Sequence, residues 1–292
     1  MSKIRTVAVC GAGGTMGAGI AIVAARAGFS TICYDVAMPA LDRAARQTDG
    51  FFAKSVERGK MSAADKDAVL GRLMRTTSLN ELAKADLVIE AVFEDLSVKR
   101  ELVGKLNNIC PAHTIFASNT STLSITEIAG ASGRDDRVVG LHFCLPAQLM
   151  KLIEVSPGIA TSKDTLAQAW AWCEAAGQLP VKTQDKPGFI LNALLIPFNN
   201  DCIRAVEAGV ADPAGIDAAI KIAFGYKMGP LELIDLIGLD TQVRLCEAFH
   251  PITLDARAAA PPLLRRMVAA GWLGRKTGRG FFKYDGNAMF GG

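Results

Sequence analysis

Val7-Ala8-Val9-Cys10-Gly11-Ala12-Gly13-Gly14-Thr15-Met16-Gly17 is the stretch that decides how this chain folds. Its apolar start reads as a short buried strand and its glycines as a tight turn. From Ala18 to Ala27 the residues are mostly small and apolar, broken only by Gly19, which predicts a closely packed helix ended by Gly28. Thr31-Ile32-Cys33-Tyr34 makes a second strand, closed by Asp35. A strand, a glycine turn, a helix and a strand ending in an acid are the parts of a dinucleotide-binding unit. The backbone of Gly11, Ala12, Gly13, Gly14, Thr15 and Met16 is then the expected pyrophosphate cradle, because the amides and dipole of a helix N-terminus favour anions. Asp35 is placed to accept hydrogen bonds from an adenosine ribose, which favours NAD over its 2′-phosphorylated form. The spacing departs from a strict G-x-G-x-x-G. Gly11 and Gly13 require a glycine where Met16 stands, whereas counting back from Gly17 gives Gly14 and then Ala12. Either the turn carries one extra residue, or Ala12 takes the first glycine's place.

Outward from this unit, the pattern turns helical after Asp35, with Pro39 in a first-turn position, and runs to about Arg58. A further helix is expected over Ala63 to Arg75. The first of these carries Arg43, Arg46, Lys54 and Arg58, with Lys60 just beyond. That basic edge is either a solvated helix face or a seat for a phosphorylated ligand. Leu87-Val88-Ile89-Glu90-Ala91-Val92 is apolar enough for a parallel sheet, and Glu94 follows at its carboxyl end, where ligands of open α/β sheets bind. Ser97 to Leu106 reads as an amphipathic helix. Thr114 to Ser118 is the next strand, and it ends in Asn119-Thr120-Ser121-Thr122. These small polar side chains either cap the helix beginning near Ser124 or face a ligand. Val138 to Phe143 and Lys151 to Val155 are two more strands. They carry His142 and Glu154, and a carboxylate inside Leu-Ile-Glu-Val needs a partner. His142 is the nearest candidate, and a histidine–carboxylate pair is what general-base chemistry uses.

Ser162 to Gly177 is predicted helical and Pro180 to Thr183 a last strand. Lys186-Pro187-Gly188 then punctuates the chain, so we expect an α/β domain over 1–186, with a Rossmann-type, mostly parallel sheet, and an all-helical domain over 187–292. The helices expected there are Phe189 to Ala208, Pro213 to Ala223, Leu231 to Gly238, Asp240 to Phe249 and Pro261 to Ala270. The first of them places Asn192 and Asn199 among apolar neighbours, where each needs a polar partner. A helical domain over an α/β domain implies a cleft between them.

The 292 residues carry a net charge of only +3, too small and dispersed to argue for nucleic acid. No apolar run suggests a transmembrane helix, and the start leaves no room for a signal peptide. Seven cysteines without a C-x-x-C pair look like reduced thiols, and three histidines far apart lack metal-ligand spacing. A cytoplasmic enzyme without metal is the expectation.

Six blocks now carry a resemblance that covers nearly the whole chain. They are Ala117-Ser118-Asn119-Thr120-Ser121, Gly140-Leu141-His142-Phe143, Met150-Lys151-Leu152-Ile153-Glu154-Val155, Pro187-Gly188-Phe189-Ile190-Leu191-Asn192, Met228-Gly229-Pro230-Leu231-Glu232-Leu233 and Leu273-Gly274-Arg275-Lys276-Thr277-Gly278. In this order they resemble the L-3-hydroxyacyl-CoA dehydrogenase family, especially its short 3-hydroxybutyryl-CoA dehydrogenase form. The resemblance implies a catalytic His142 partnered by Glu154, with Ser121 and Asn192 at the reacting end of an acyl-CoA substrate. It also implies NAD contacts at Asp35, Glu94, Lys99 and Asn119, a coenzyme A contact near Lys54, and a homodimer. This chain departs from the family in reading His142-Phe143-Cys144-Leu145-Pro146 where His-Phe-Phe-Asn-Pro is common, and in having Ala193 where an arginine usually follows the asparagine. A more apolar pocket, roomier at Ala193, implies a larger or substituted acyl chain. The competing readings are a dehydrogenase of free hydroxy acids, similar to gulonate dehydrogenases, and a non-catalytic crystallin-like protein.

Overall fold

The computed structural model describes residues 4–284, and the chain divides into two compact units, one ending at Phe189 and the other beginning at Ile190. The first unit holds eight strands: β1 (Thr6–Cys10), β2 (Ser30–Tyr34), β3 (Leu73–Thr76), β4 (Leu87–Glu90), β5 (Ile115–Ser118), β6 (Val138–Phe143), β7 (Leu152–Pro157) and β8 (Leu179–Lys182). Between them run α1 (Thr15–Arg26), α2 (Met38–Glu57), α3 (Ala63–Leu70), α4 (Leu96–Ile109), α5 (Ile125–Ala129) and α6 (Lys163–Ala175). The strands form one sheet in the order β3-β2-β1-β4-β5-β6-β7-β8, parallel throughout except where β6 meets β7. This is the doubly wound, Rossmann-type architecture, with β1 beside both β2 and β4 and the glycine turn at its carboxyl end.

Alternating side chains feed the two faces of the sheet. Val7, Val9, Leu87, Ile89, Ile115, Ala117, Val139 and Leu141 join a core with α1 and α6 residues such as Ile20 and Trp172. Ala8, Cys10, Val88, Phe116 and Val138 join the other, with Val103 and Leu106 of α4 and Ile125 and Ile128 of α5. One expected element is different. The helix expected over Ala63 to Arg75 ends at Leu70, and Leu73 to Thr76 is instead the edge strand β3. Its four residues show no buried alternation, so the signal for a strand is absent locally. Pairing with β2 makes it one.

The second unit is helical: α7 (Leu191–Glu207), α8 (Pro213–Phe224), α9 (Pro230–Ile237), α10 (Leu239–Thr253) and α11 (Pro262–Ala269). Its core gathers Cys202, Ile203, Leu231, Ile234, Leu239 and Leu264. The Asp217 carboxylate of α8 accepts the Leu231 and Glu232 amides at 2.9 Å, satisfying first-turn donors of α9 that otherwise lack partners. Asn199 is buried and donates to Gln242 at 3.4 Å, as its setting demands, whereas Asn192 in the first turn of α7 is only half-buried. No helix among the described residues is long and apolar enough to cross a membrane.

Candidate active site

The glycine turn resolves the ambiguity of its spacing. Gly11 has φ +78°, and a Cβ there would stand 2.6 Å from the Ala91 carbonyl oxygen at the end of β4, so only glycine fits. A Cβ at Gly17 would lie 2.2 Å from the Gly11 oxygen, which makes Gly17 the glycine of close helix–strand packing. Gly11 and Gly17 therefore take the first and last places of the motif, and the turn between them is one residue longer than the standard pattern. Ala12 is buried, its amide donating to Tyr34 O at 3.0 Å. The extra residue is accommodated by two bonds: Gly14 N–H to Gly11 O and Gly13 N–H to Asp35 Oδ2, both 3.0 Å. Asp35 thus has a second task that sequence does not show, pinning the turn to the end of β2.

These residues fit a dinucleotide. Gly14 caps α1 without a side-chain oxygen, and the first turn of α1 carries no acid. The amides that open a helix have no intrahelical acceptor, so those of Thr15, Met16 and Gly17 suit an anionic group.

Beyond β4 and β5 a buried charge network supports the next set of residues. Lys99 on α4 is 1 % exposed, and its ammonium lies 2.8 Å from Glu90 and 3.3 Å from Glu94. Lys99 therefore reaches the site through Glu94. Glu94 Oε1 accepts the Ser121 amide at 2.7 Å, the Thr122 amide at 3.0 Å and the Thr120 hydroxyl at 2.6 Å. Burial alone would raise the Glu94 carboxyl, but the Lys99 charge and these donors outweigh it and lower the group. For Glu90 the balance is reversed: burial raises it despite Lys99 and the Ser118 hydroxyl. Glu90 went unread in the sequence, although an acid in Leu-Val-Ile-Glu carries the same warning as Glu154. Asn119 Oδ1 accepts the Phe143 amide at 2.9 Å, tying the end of β5 to β6. Ser124, not Thr122, caps α5.

The antiparallel pairing of β6 with β7 sets His142 directly opposite Glu154. Cross-strand partners of such a ladder point to the same face. Accordingly His142 Nδ1 stands 2.6 Å from Glu154 Oε2, with the residues 7 % and 1 % exposed. On the other side of the ring, Nε2 is 3.2 Å from Ser121 Oγ. Ser121, His142 and Glu154 form a continuous chain in which a buried carboxylate holds one nitrogen and leaves the other facing a hydroxyl. Such a chain orients an imidazole to take up and return a proton.

Lys54 lies in the last turn of α2 and is exposed. With Arg26, Arg58 and Lys60 it lines a crevice that also includes Phe51 and Leu149. Leu149 belongs to the loop that joins β6 to β7, as does Leu145, which is 60 % exposed. Asn192 sits in the second unit. Its neighbour Ala193 lies against the cluster of Ile196, Cys246, Phe249 and Ala258. No group of three or more His, Cys, Asp or Glu residues with metal-binding geometry occurs among the described residues.

Fold and turn together define a dinucleotide-dependent oxidoreductase scaffold, and comparison with known proteins places it. Residues 6–186 match "3-hydroxyacyl-CoA dehydrogenase, NAD binding domain", and residues 188–284 match "3-hydroxyacyl-CoA dehydrogenase, C-terminal domain". A probable 3-hydroxybutyryl-CoA dehydrogenase of Bacillus subtilis is 43 % identical over 283 residues, 97 % of this chain and 98 % of that one. A 3-hydroxyadipyl-CoA dehydrogenase of Escherichia coli is 42 % identical over 97 % of this chain and 60 % of its own length. The crystal structure of (S)-3-hydroxybutyryl-CoA dehydrogenase PaaH1 from Ralstonia eutropha superposes with a TM-score of 0.91 at 36 % identity, covering 97 % of this chain and all (100 %) of that one. The chain belongs to the 3-hydroxyacyl-CoA dehydrogenase family, and it is an NAD-dependent oxidoreductase.

Proposed function

We propose that the protein oxidises a 3-hydroxyacyl-CoA reversibly to the 3-oxoacyl-CoA, with His142 as general base and Glu154 as its orienting partner. The observation that carries this reading is the chain Ser121–His142–Glu154, with its contacts of 3.2 and 2.6 Å. His142 Nε2 takes the proton of the substrate's 3-hydroxyl as the C3–H bond breaks. Bound NAD⁺ supplies the acceptor for the hydride that leaves C3. The Glu154 carboxylate holds the Nδ1–H and stabilises the imidazolium that forms. Ser121 donates to the reacting oxygen, a role for which its amide is held by Glu94. For Asn192 the assignment to the substrate rests on the family resemblance, as do contacts of Glu94 and Asn119 with the cofactor; Lys99, buried between Glu90 and Glu94, acts through Glu94 and not by direct contact.

Coenzyme A phosphates are assigned to the crevice of Arg26, Lys54, Arg58 and Lys60. This favours an acyl-CoA over a free hydroxy acid, which has no phosphates to place there. Leu149 lines the same crevice and shares the β6–β7 loop with the exposed Leu145. The run Leu145, Leu149 and Met150 offers exposed apolar surface, which a larger or substituted acyl chain would bury at about 25 cal/mol per Å². Ile222, Phe224 and Tyr226 in and just after α8 are also exposed. They support a homodimer through the second unit. The seven free cysteines suit a reducing, cytoplasmic setting.

The test is NADH formation across 3-hydroxyacyl-CoA esters of four carbons, longer, branched, aromatic and dicarboxylic, beside the free hydroxy acids. The reading expects CoA esters to dominate and the four-carbon ester not to be best. Better turnover of free acids overturns the substrate class; a best rate with the four-carbon ester overturns the acyl-chain assignment alone.

A further inference from the structure

We propose that Phe189 is a positioning residue for the catalytic base, its ring packed against that of His142 while Glu154 and Ser121 hold the two nitrogens. This rests on the reading of His142 given above. The ring centroids of Phe189 and His142 are 5.6 Å apart, within contact range for two rings, with planes inclined at 44°. Phe189 is 7 % exposed and clusters with Ile125 and Ile128 of α5.

The backbone shows what this placement requires. Phe189 has φ +49°, in the left-handed region that only glycine enters freely. A phenylalanine held there in place of a glycine points to a side chain that is needed, since observed strain persists only where its surroundings enforce it. The enforcement is visible. The Asp185 carboxylate accepts the Ile125 amide at 2.7 Å, the Thr126 amide at 2.8 Å, and the hydroxyls of Ser124 and Thr126 at 2.9 and 2.6 Å. Gly188 then turns with φ +76°, and the Phe189 amide donates back to Lys186 O at 3.0 Å. From α5 through Asp185 the loop is fastened, and it delivers one ring against the imidazole. Two nitrogen contacts leave a ring free to rock about the line joining them; a second ring packed against it restricts that motion.

The experiment uses full-length Phe189→Gly, Phe189→Leu and Phe189→Tyr, each in wild-type and His142→Ala backgrounds. Glycine relieves the backbone but lacks the ring, and leucine keeps apolar bulk in the core without the flat ring. We expect kcat to fall roughly 10- to 100-fold in the glycine and leucine variants, the scale of a misaligned reacting group. The KM for the acyl-CoA and the Kd for NADH stay unchanged, and tyrosine restores most of the rate. In the His142→Ala background the same changes cost nothing further. A second readout needs no turnover. The chain has three histidines, so the imidazole NMR signals of His142 are assigned by their absence in His142→Ala. In the ligand-free protein those signals shift in the glycine and leucine variants and the Nδ1–H exchanges faster. Wild-type kcat in Phe189→Gly with unmoved His142 signals overturns the proposal. So does an equal loss in both backgrounds, which makes the role structural. A wild-type protein inactive on every CoA ester instead counts against the proposed function, and the NMR arm then decides the contact by itself.

Discussion

Replacing Glu154 by glutamine keeps the shape of β7 and removes one negative charge. The bond lost is short, 2.6 Å, and lies where Glu154 is 1 % exposed, so water does not replace it. A buried hydrogen bond to a charged group contributes about 1.5–3 kcal/mol, and at roughly 1.4 kcal/mol per decade that is a loss of ~10- to 150-fold in kcat. A second effect adds to the first. If the amide turns its NH₂ toward Nδ1, the proton moves to Nε2, and the nitrogen meant to receive the hydroxyl proton is already occupied. The wrong tautomer in a comparable pair costs about 10⁴ in kcat. The expected fall therefore lies between ~10-fold and ~10⁴-fold. NADH affinity should not move, because Glu154 has no part in the glycine turn. Stopped-flow turnover with a good CoA ester, together with NADH fluorescence titration, separates the two quantities. The same change placed in His142→Ala should cost nothing more, since the pair acts as a unit. Wild-type kcat in Glu154→Gln, or a full additional loss in the His142→Ala background, refutes the reasoning.

Asp35→Ala should narrow the preference for NADH over NADPH and also weaken NADH binding, because the carboxylate pins Gly13; a wild-type enzyme that prefers NADPH refutes the assignment. Gly17→Ala places a methyl 2.2 Å from the Gly11 oxygen, so we expect overpacking to remove roughly 1–3 kcal/mol of stability, seen as a lower Tm, and weak NADH binding; calorimetry and titration matching the wild type would show the turn to be slack. Glu94 is held below its ordinary value of 4.5 by Lys99 and its donors against the opposing effect of burial. A depressed carboxyl contributes stability that is complete above the unfolded value and lost as pH falls through the folded one. The Tm gap between wild type and Glu94→Gln should thus be widest near neutral pH and close below about 4.5, the ordinary value; a gap that widens on acidification contradicts the sign.

Much of this protein was legible in order along the chain. The dinucleotide unit follows from local chemistry, because glycine freedom, small helix residues and an acid at a strand end are properties of neighbours in sequence. The candidate site residues followed partly from a physical warning, a carboxylate in an apolar strand, and partly from the resemblance carried by six blocks. What remained open depended on contacts between distant residues. Whether Gly11 or Ala12 leads the motif is decided by the Ala91 carbonyl, which arrives from β4. Leu73 to Thr76 is a strand only because β2 pairs with it. The family resemblance makes Lys99 a cofactor contact, and only the fold shows Glu90 and Glu94 enclosing it. His142 and Glu154 are twelve positions apart, and only the antiparallel register turns that separation into a 2.6 Å contact. Phe189 carries no local mark at all, since both its left-handed backbone and its seat against His142 are imposed by a loop fastened to α5. Sequence determines what each short segment prefers; pairing register and close packing decide which side chains meet, because those depend on atoms the chain brings together only once folded.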